Sequence, residues 1–316
     1  MANVINVVVT CSKDKRFAVP DSCFLRQVTG ASLQGRLSEW QRRTMRQWNA
    51  RVQVLDLYAG DHWATVKSFR SPSAELVIWV CSAGFGLLHV EDQVPPYAAT
   101  FSPSHPDFVG AGLSKEQRGT APAEWWRQTQ SFWQDDLSRH PRSLADLMRL
   151  RVDEKFLVVA SANYLNAIAD DLRTGLSCLS NRDDLAIVSA GTEGMEGLNE
   201  NLVPCDARMQ MMVGGAMRSV NTRLAARILQ EASESLSVAD LRDRYGRLLA
   251  KMPPLPRFDR KQLSDSEISE FIRSRFRCGV ATSHSQLLRV LRDEGIACEQ
   301  KRFASLFRRV AEAVNG

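Results

Sequence analysis

The sequence predicts an α/β fold, a largely parallel or mixed sheet flanked by helices, with a small C-terminal helical domain of helix-turn-helix or winged-helix type. Three observations predict it. Short apolar runs rich in β-branched residues alternate with amphipathic helical patterns over most of the chain. The stretch Met252-Pro-Pro-Leu-Pro-Arg257 then interrupts the alternation, because it can neither continue a helix nor pair in a sheet. The C-terminal remainder is helical in period and basic in charge. The expected division is an α/β domain over 1–251, a stiff linker over 252–258 and a basic helical domain over 259–316.

Val4 to Thr10 is a run of β-branched residues interrupted only by Asn6, the pattern of a strand buried on both faces. Similar runs predict strands at Val52 to Leu57, Leu76 to Cys81, Phe156 to Ala160 and Leu185 to Ser189. Helical periods occupy Leu33 to Ala50 and Leu165 to Thr174. Pro95 to Pro122 is rich in Pro, Ser and Gly and is expected to form a long loop, a lid in the functional reading. Trp125, Trp126, Phe132 and Trp133 fall at helical spacing, which favours core or inter-domain packing over a base-stacking platform. Gly214 and Gly215 precede an amphipathic helix running to about Ser233. Two readings stand there: backbone N–H groups offered to phosphate at a helix N-terminus, or close helix-on-sheet packing. Beyond the linker, Ser264 to Arg275, Ser283 to Asp293 and Lys301 to Ala313 read as three helices, with Asp265 and Ser283 as caps and Gly295 as a stop.

Composition narrows the class. The chain is 44% hydrophobic and 24% charged, and no apolar run approaches the roughly 20 residues of a membrane span, so no membrane contact is expected. The first residues read as a strand and not as a signal peptide, which gives a cytoplasmic expectation. Seven cysteines without CxxC spacing predict reduced thiols, with neither a disulfide framework nor a structural zinc. No metal and no cofactor is expected. The net charge of +5 is concentrated at the end: from Arg257 to Gly316, 12 Lys/Arg face 8 Asp/Glu, a surplus of four. Lys301, Arg302, Arg308 and Arg309 on the last helix are candidate phosphate contacts, the rival reading being a solvated face of a protein-interaction module.

The sequence holds no P-loop, GxSxG elbow, HExxH or GxGxxG after a strand, and no close cysteine set of the kind metal-dependent nitrile hydratases use. Chemistry is therefore sought at strand ends. In Cys11-Ser12-Lys13-Asp14-Lys15, ammonium groups beside a thiol favour thiolate, and crowding can depress a lysine. Cys11 or Lys15 is the candidate nucleophile, against the alternative of a buried cysteine beside solvated lysines. A second loop, Cys81 to Leu88, offers Ser82, Ala83 and Gly84 as a gap for a planar ligand, with Phe85, Tyr97 and Phe101 to stack on it. Asp92 is the candidate acid/base or amidine acceptor. A third loop supplies Tyr58 and His62.

Together these stretches, CSKxK, DLYxG and SAGFGLL with a downstream Asp and PYxxTF, resemble the YaaA/DUF328 group over about Asn3 to Phe101. Archaeosine synthase, a relative of that group, carries a similar loop of Cys, three residues, then Lys, Pro and Tyr. Here Cys11 and Lys15 keep the pattern, with Arg16 in place of proline and Phe17 in place of tyrosine. The resemblance implies that Lys15 corresponds to the amine that attacks the nitrile of 7-cyano-7-deazaguanine. A DpdC-like branch belongs to a bacterial restriction-modification-type system that converts the cyano base in DNA to the amido base, and this chain resembles that branch.

The expectation is thus a metal-independent, nitrile hydratase-like enzyme acting on 7-cyano-7-deazaguanine in double-stranded DNA, with Cys11, Lys15 and Asp92 catalytic. Ser12, Lys13, Tyr58, His62, Ser82, Gly84, Phe85, Tyr97 and Phe101 are the expected substrate contacts. Other proteins of the same modification system are expected partners. The rival expectation is a non-catalytic YaaA-type DNA-binding or stress protein.

Overall fold

The computed structural model describes residues 3–30, 32–132, 140–191, 195–231, 236–255, 260–277 and 283–315. It separates into two units, Met1–Pro253 and Pro254–Gly316, with the division inside the expected proline-rich stretch. Trp133, the side chain of Phe132, Ser233, Arg257 and Cys278 lie outside the described residues.

In the first unit the strands are β1 (Val4–Thr10), β2 (Val52–Gln53), β3 (Glu75–Ser82), β4 (Gly86–His89), β5 (Gln93–Val94), β6 (Lys155–Val159), β7 (Leu185–Val188) and β8 (Leu202–Val203). The helices are α1 (Leu33–Met45), α2 (Val54–Leu57), α3 (Gly60–Lys67), α4 (Lys115–Phe132), α5 (Leu144–Leu150), α6 (Ala162–Leu176), α7 (Gln210–Val213), α8 (Val220–Glu231) and α9 (Val238–Lys251). Six strands form one sheet in the order β4-β3-β1-β6-β7-β8. All neighbours are parallel except β4, which turns back antiparallel on β3. The interiors of β1, β6 and β7 are buried, as their largely apolar composition requires for strands covered on both faces, and the buried Asn6 of β1 donates to Glu154 and accepts from Trp79 Nε1.

This order places the site. From β1 the chain crosses to β3 on one side, and the next parallel strand, β6, lies on the other side of β1. Connections leaving β1 and β6 therefore diverge, and the carboxyl ends of those two strands flank a topological switch point, where doubly wound sheets bind ligands.

The elements differ from expectation in three places. Val52 to Leu57 is a two-residue strand followed by one helical turn, because Val54 and Leu57 bury a helical face and the stretch pairs only with the short β5. The Pro95–Pro122 loop ends at Ser114, and α4 starts at Lys115 with Pro122 inside it. Tyr97, Phe101, Phe108 and Val109 of this segment are buried, so it is a packed wall of the core and not a lid. The first long helix stops at Met45, and a separate turn covers Trp48–Ala50. Trp125 and Trp126 are buried core residues, as their spacing predicted.

The second unit holds α10 (Asp265–Arg277), α11 (His284–Asp293) and α12 (Gln300–Asn315), with β9 (Lys261–Gln262) and β10 (Ile296–Ala297) paired parallel. Ile268, Ile272, Leu287, Leu291, Phe303 and Leu306 form its own core. The cap of α10 is Ser264 and not Asp265: Ser264 Oγ accepts from Glu267 N–H and Glu267 Oε2 accepts from Ser264 N–H, a reciprocal capping box. Ser283 caps α11 as expected, and Gly295 stops it at φ +77°.

Candidate active site

β1 pairs with β3 one residue past its end, Cys11 N–H donating to Cys81 C=O at 3.1 Å. The chain then turns and lies against residues 57–59. Arg16 N–H donates to Leu57 C=O and Ala59 N–H to Asp14 C=O, each at 2.9 Å, so Lys15 faces Tyr58 across an antiparallel bridge. Ser12 Oγ donates to Ala59 C=O at 3.0 Å and accepts from Asp14 N–H at 3.2 Å, which fixes the turn. Lys13 is exposed, whereas the Lys15 side chain is drawn inward.

Lys15 Nζ sits 4.9 Å from the Tyr58 ring centroid and 4.7 Å from that of Tyr97, and donates to the Ser12 carbonyl. Burial disfavours its charge and lowers its pKa to about 8, against the opposing pull of Cys11, Asp14 and Asp107. Two aromatic faces and one carbonyl therefore hold an amine that is partly unprotonated near neutral pH.

Cys11, 8% exposed, places Sγ 3.2 Å from the Tyr164 hydroxyl. Tyr164 belongs to the first turn of α6, directly after β6, so this contact spans the switch point. The Phe101 ring backs Tyr164 at 4.9 Å, edge to face. Burial raises the hydroxyl pKa values of Tyr58, Tyr97 and Tyr164 well above the ordinary phenol range, so all three remain protonated hydrogen-bond donors. Asp107, nearly fully buried, accepts from the backbone N–H and guanidinium of Arg26.

The gap expected for a flat ligand is filled by the protein. Ser82 Oγ accepts from the N–H groups of Gly84 and Phe85, and lies 2.6 Å from the Tyr97 hydroxyl. Trp125 Nε1 donates to Ala83 C=O, Trp40 Nε1 to Gly84 C=O and Arg142 to Phe85 C=O. A Cβ at Gly84 would lie 2.6 Å from Tyr97 Cε2. The glycine thus admits the ring of Tyr97, and Ser82, Gly84, Phe85, Tyr97, Phe101 and Tyr58 form a buried second layer beneath Lys15 instead of a surface that touches substrate.

Two expected residues fall elsewhere or are otherwise engaged. β4 runs back from Gly86, opposite Ser82, to His89, opposite Trp79, which carries Asp92 roughly 10 Å or more from the strand end that bears Cys11. Asp92 Oδ2 accepts from His89 N–H, and Oδ1 lies 2.8 Å from His140 Nδ1, so it is no acid/base for this site. His62 Nε2 donates to Thr10 C=O at 2.9 Å, and its Nδ1 accepts from the Thr222 hydroxyl at 2.6 Å. Both ring nitrogens are engaged in fastening α3 to β1 and α8, and burial lowers the pKa, as suits a neutral ring.

Gly214 and Gly215 are exposed at φ +66° and +73°, and a 3-10 turn, Met217–Ser219, separates them from α8. They neither head that helix nor pack it on the sheet. A Cβ at Gly215 would meet Arg223 Nε at 2.1 Å, so its bareness lets Arg223 reach Asp61, 2.6 Å away. In the second unit Arg302 is tied to Asp265 and the Leu263 carbonyl, while Lys301, Arg308 and Arg309 are exposed along α12.

The chain matches no family model, no curated protein and no solved structure. The site is therefore read from its own geometry: Cys11, Lys15 and Tyr164 at the switch point, over a floor of Tyr58, Tyr97 and Ser82. The sequence reading missed Tyr164, Asp107 and Trp40. Tyr164 had one available signal, its place just after the end of a predicted parallel strand; the other two had none.

Proposed function

We propose that this chain is a DNA-modification enzyme of the DpdC-like type, hydrating the nitrile of 7-cyano-7-deazaguanine in DNA to the carboxamide. The observation that carries the reading is the grouping at one strand end of a thiol, a phenol 3.2 Å from it and an amine whose pKa is about 8. An amine poised near the working pH can both give and take a proton, which nitrile addition requires.

In the proposed sequence the Cys11 sulfur adds to the nitrile carbon, and Lys15 protonates the nitrile nitrogen to give a thioimidate. Water then adds to the same carbon, its proton passing to nitrogen. The tetrahedral adduct expels the Cys11 thiolate as its hydroxyl proton returns to Lys15, leaving the amide with one water consumed. Attack by Lys15 instead would give an amidine, from which an amine is a poorer leaving group than thiolate. Cys11 is recessed, so the nucleotide is best presented extruded from the duplex, although the 7-substituent itself faces the major groove. Lys301, Arg308 and Arg309 of α12 are the proposed phosphate contacts.

The second reading, a non-catalytic YaaA-type DNA-binding protein, is favoured by one observation, the filling of the Gly84 gap by Tyr97. The two separate when DNA containing the cyano base is incubated with the protein, digested to nucleosides and analysed by mass spectrometry. The amide nucleoside supports the enzyme; its absence at stoichiometric protein, with DNA still bound, removes it.

A further inference from the structure

We propose that His89, Glu91 and His140 form a binding site for one divalent transition cation of the zinc class. One candidate ligand atom from each residue lies within 4.8 Å of the others. The three come from two parts of the first unit: His89 ends β4, Glu91 follows in the turn to β5, and His140 precedes α5. They lie at the same end of β4 as Asp92, away from Cys11 and Lys15, so the site is independent of the function proposed above.

The surroundings are those of a prepared imidazole site. Asp92 Oδ1 lies 2.8 Å from His140 Nδ1, which fixes the proton on that nitrogen and leaves the Nε2 lone pair available. A carboxylate behind a ligating histidine is the arrangement that orients metal-bound imidazoles. Asp92 is itself held by His89 N–H at 2.8 Å, with Arg142 3.7 Å away. The imidazole rings of His89 and His140 stand 4.4 Å apart at 38°, close enough for both to serve one ion. Trp79 meets both rings edge to face, at 4.9 and 5.9 Å, and limits their rotation.

Access and closure are also met. The side chains of His89 and His140 are 14% and 27% exposed and that of Glu91 is 71% exposed, so an ion can enter from solvent with Glu91 closing over it. Tetrahedral zinc needs its ligand atoms about 3.3 Å apart, a contraction that the exposed glutamate can supply. Two nitrogens and one carboxylate select the zinc class over magnesium or calcium, and leave a fourth position for water.

The test is calorimetric titration of the full, chelator-treated chain with Zn2+, alongside Co2+ as an absorption probe. One equivalent of Zn2+ is expected, with Mg2+ giving no heat and Co2+ showing visible bands without a thiolate charge-transfer band. Glu91→Gln, an exposed change that leaves the fold intact, is expected to weaken binding at least tenfold, and Asp92→Asn by ten- to a hundredfold. His140→Gln should abolish the equivalent while circular dichroism is retained. Failure of the chain to bind Zn2+, a thiolate-to-cobalt band at full stoichiometry, or wild-type affinity in Glu91→Gln would each overturn the site.

Discussion

Cys11 Sγ and the Tyr164 hydroxyl stand 3.2 Å apart, although 153 positions separate them in the chain. The contact exists because β6 lies beside β1 and both strands deliver their next residues to the same edge. Burial keeps that phenol protonated, so it is available to hydrogen-bond the sulfur.

Tyr164→Phe removes that donor without removing the ring that packs on Phe101. The expected cost in stability is about 1 kcal/mol, measured by chemical denaturation. Alkylation of Cys11 at fixed pH, followed by peptide mass spectrometry, should change in rate because the sulfur loses its hydrogen-bond partner. Turnover in the nucleoside assay should fall by about a hundredfold.

Lys15 predicts a pH dependence of stability. Its pKa falls from 10.5 unfolded to about 8 folded, so below pH 8 both states are charged and the folded state bears the full burial penalty. As pH rises from 8 towards 10.5 the folded state gives up its proton first, and stability increases over that window. Lys15→Met should therefore stabilise the fold at pH 7 by an amount on the order of 1–3 kcal/mol, seen as a higher melting temperature, and the gain should fade by pH 10.5. Melts across pH 6 to 10.5 check both parts.

Gly84→Ala should destabilise by about 1–3 kcal/mol, because its Cβ meets Tyr97, which is fully buried and held by Ser82 and Tyr58. Gly119→Ala, inside α4 with nothing within 4 Å of the added Cβ, should stabilise by about 0.5–1 kcal/mol. Paired denaturation curves give the opposite signs directly.

For the basic unit, the combined change of Lys301, Arg308 and Arg309 to Ala should weaken DNA binding and lower the slope of log affinity against log salt by about 3. Arg302→Ala should act differently, loosening the N-terminus of α10 by about 1 kcal/mol through loss of its bonds to Asp265 and Leu263, with little change in that slope. Fluorescence titrations over a salt series distinguish the two.

β1, β3, β6 and β7 were legible because strands covered on both faces carry long runs of apolar, largely β-branched residues. Val52 to Leu57 was not, since a short apolar run fits a buried strand as well as the helical turn in which Val54 and Leu57 are buried. Pro122 read as a breaker, yet it sits inside α4. At the site, the turn bearing Cys11 and Lys15 was visible as a polar break after a strand. The occupant of the Gly84 gap was not, because small residues announce a space without saying whether a ligand or a side chain from elsewhere fills it.

His62 holds the last carbonyl of β1 and the Thr222 hydroxyl of α8 together. The segment that begins at Cys11 is thereby braced at its root, and the amine at its far end is already aimed before anything arrives. The entropic toll of assembling these groups was met when the chain folded.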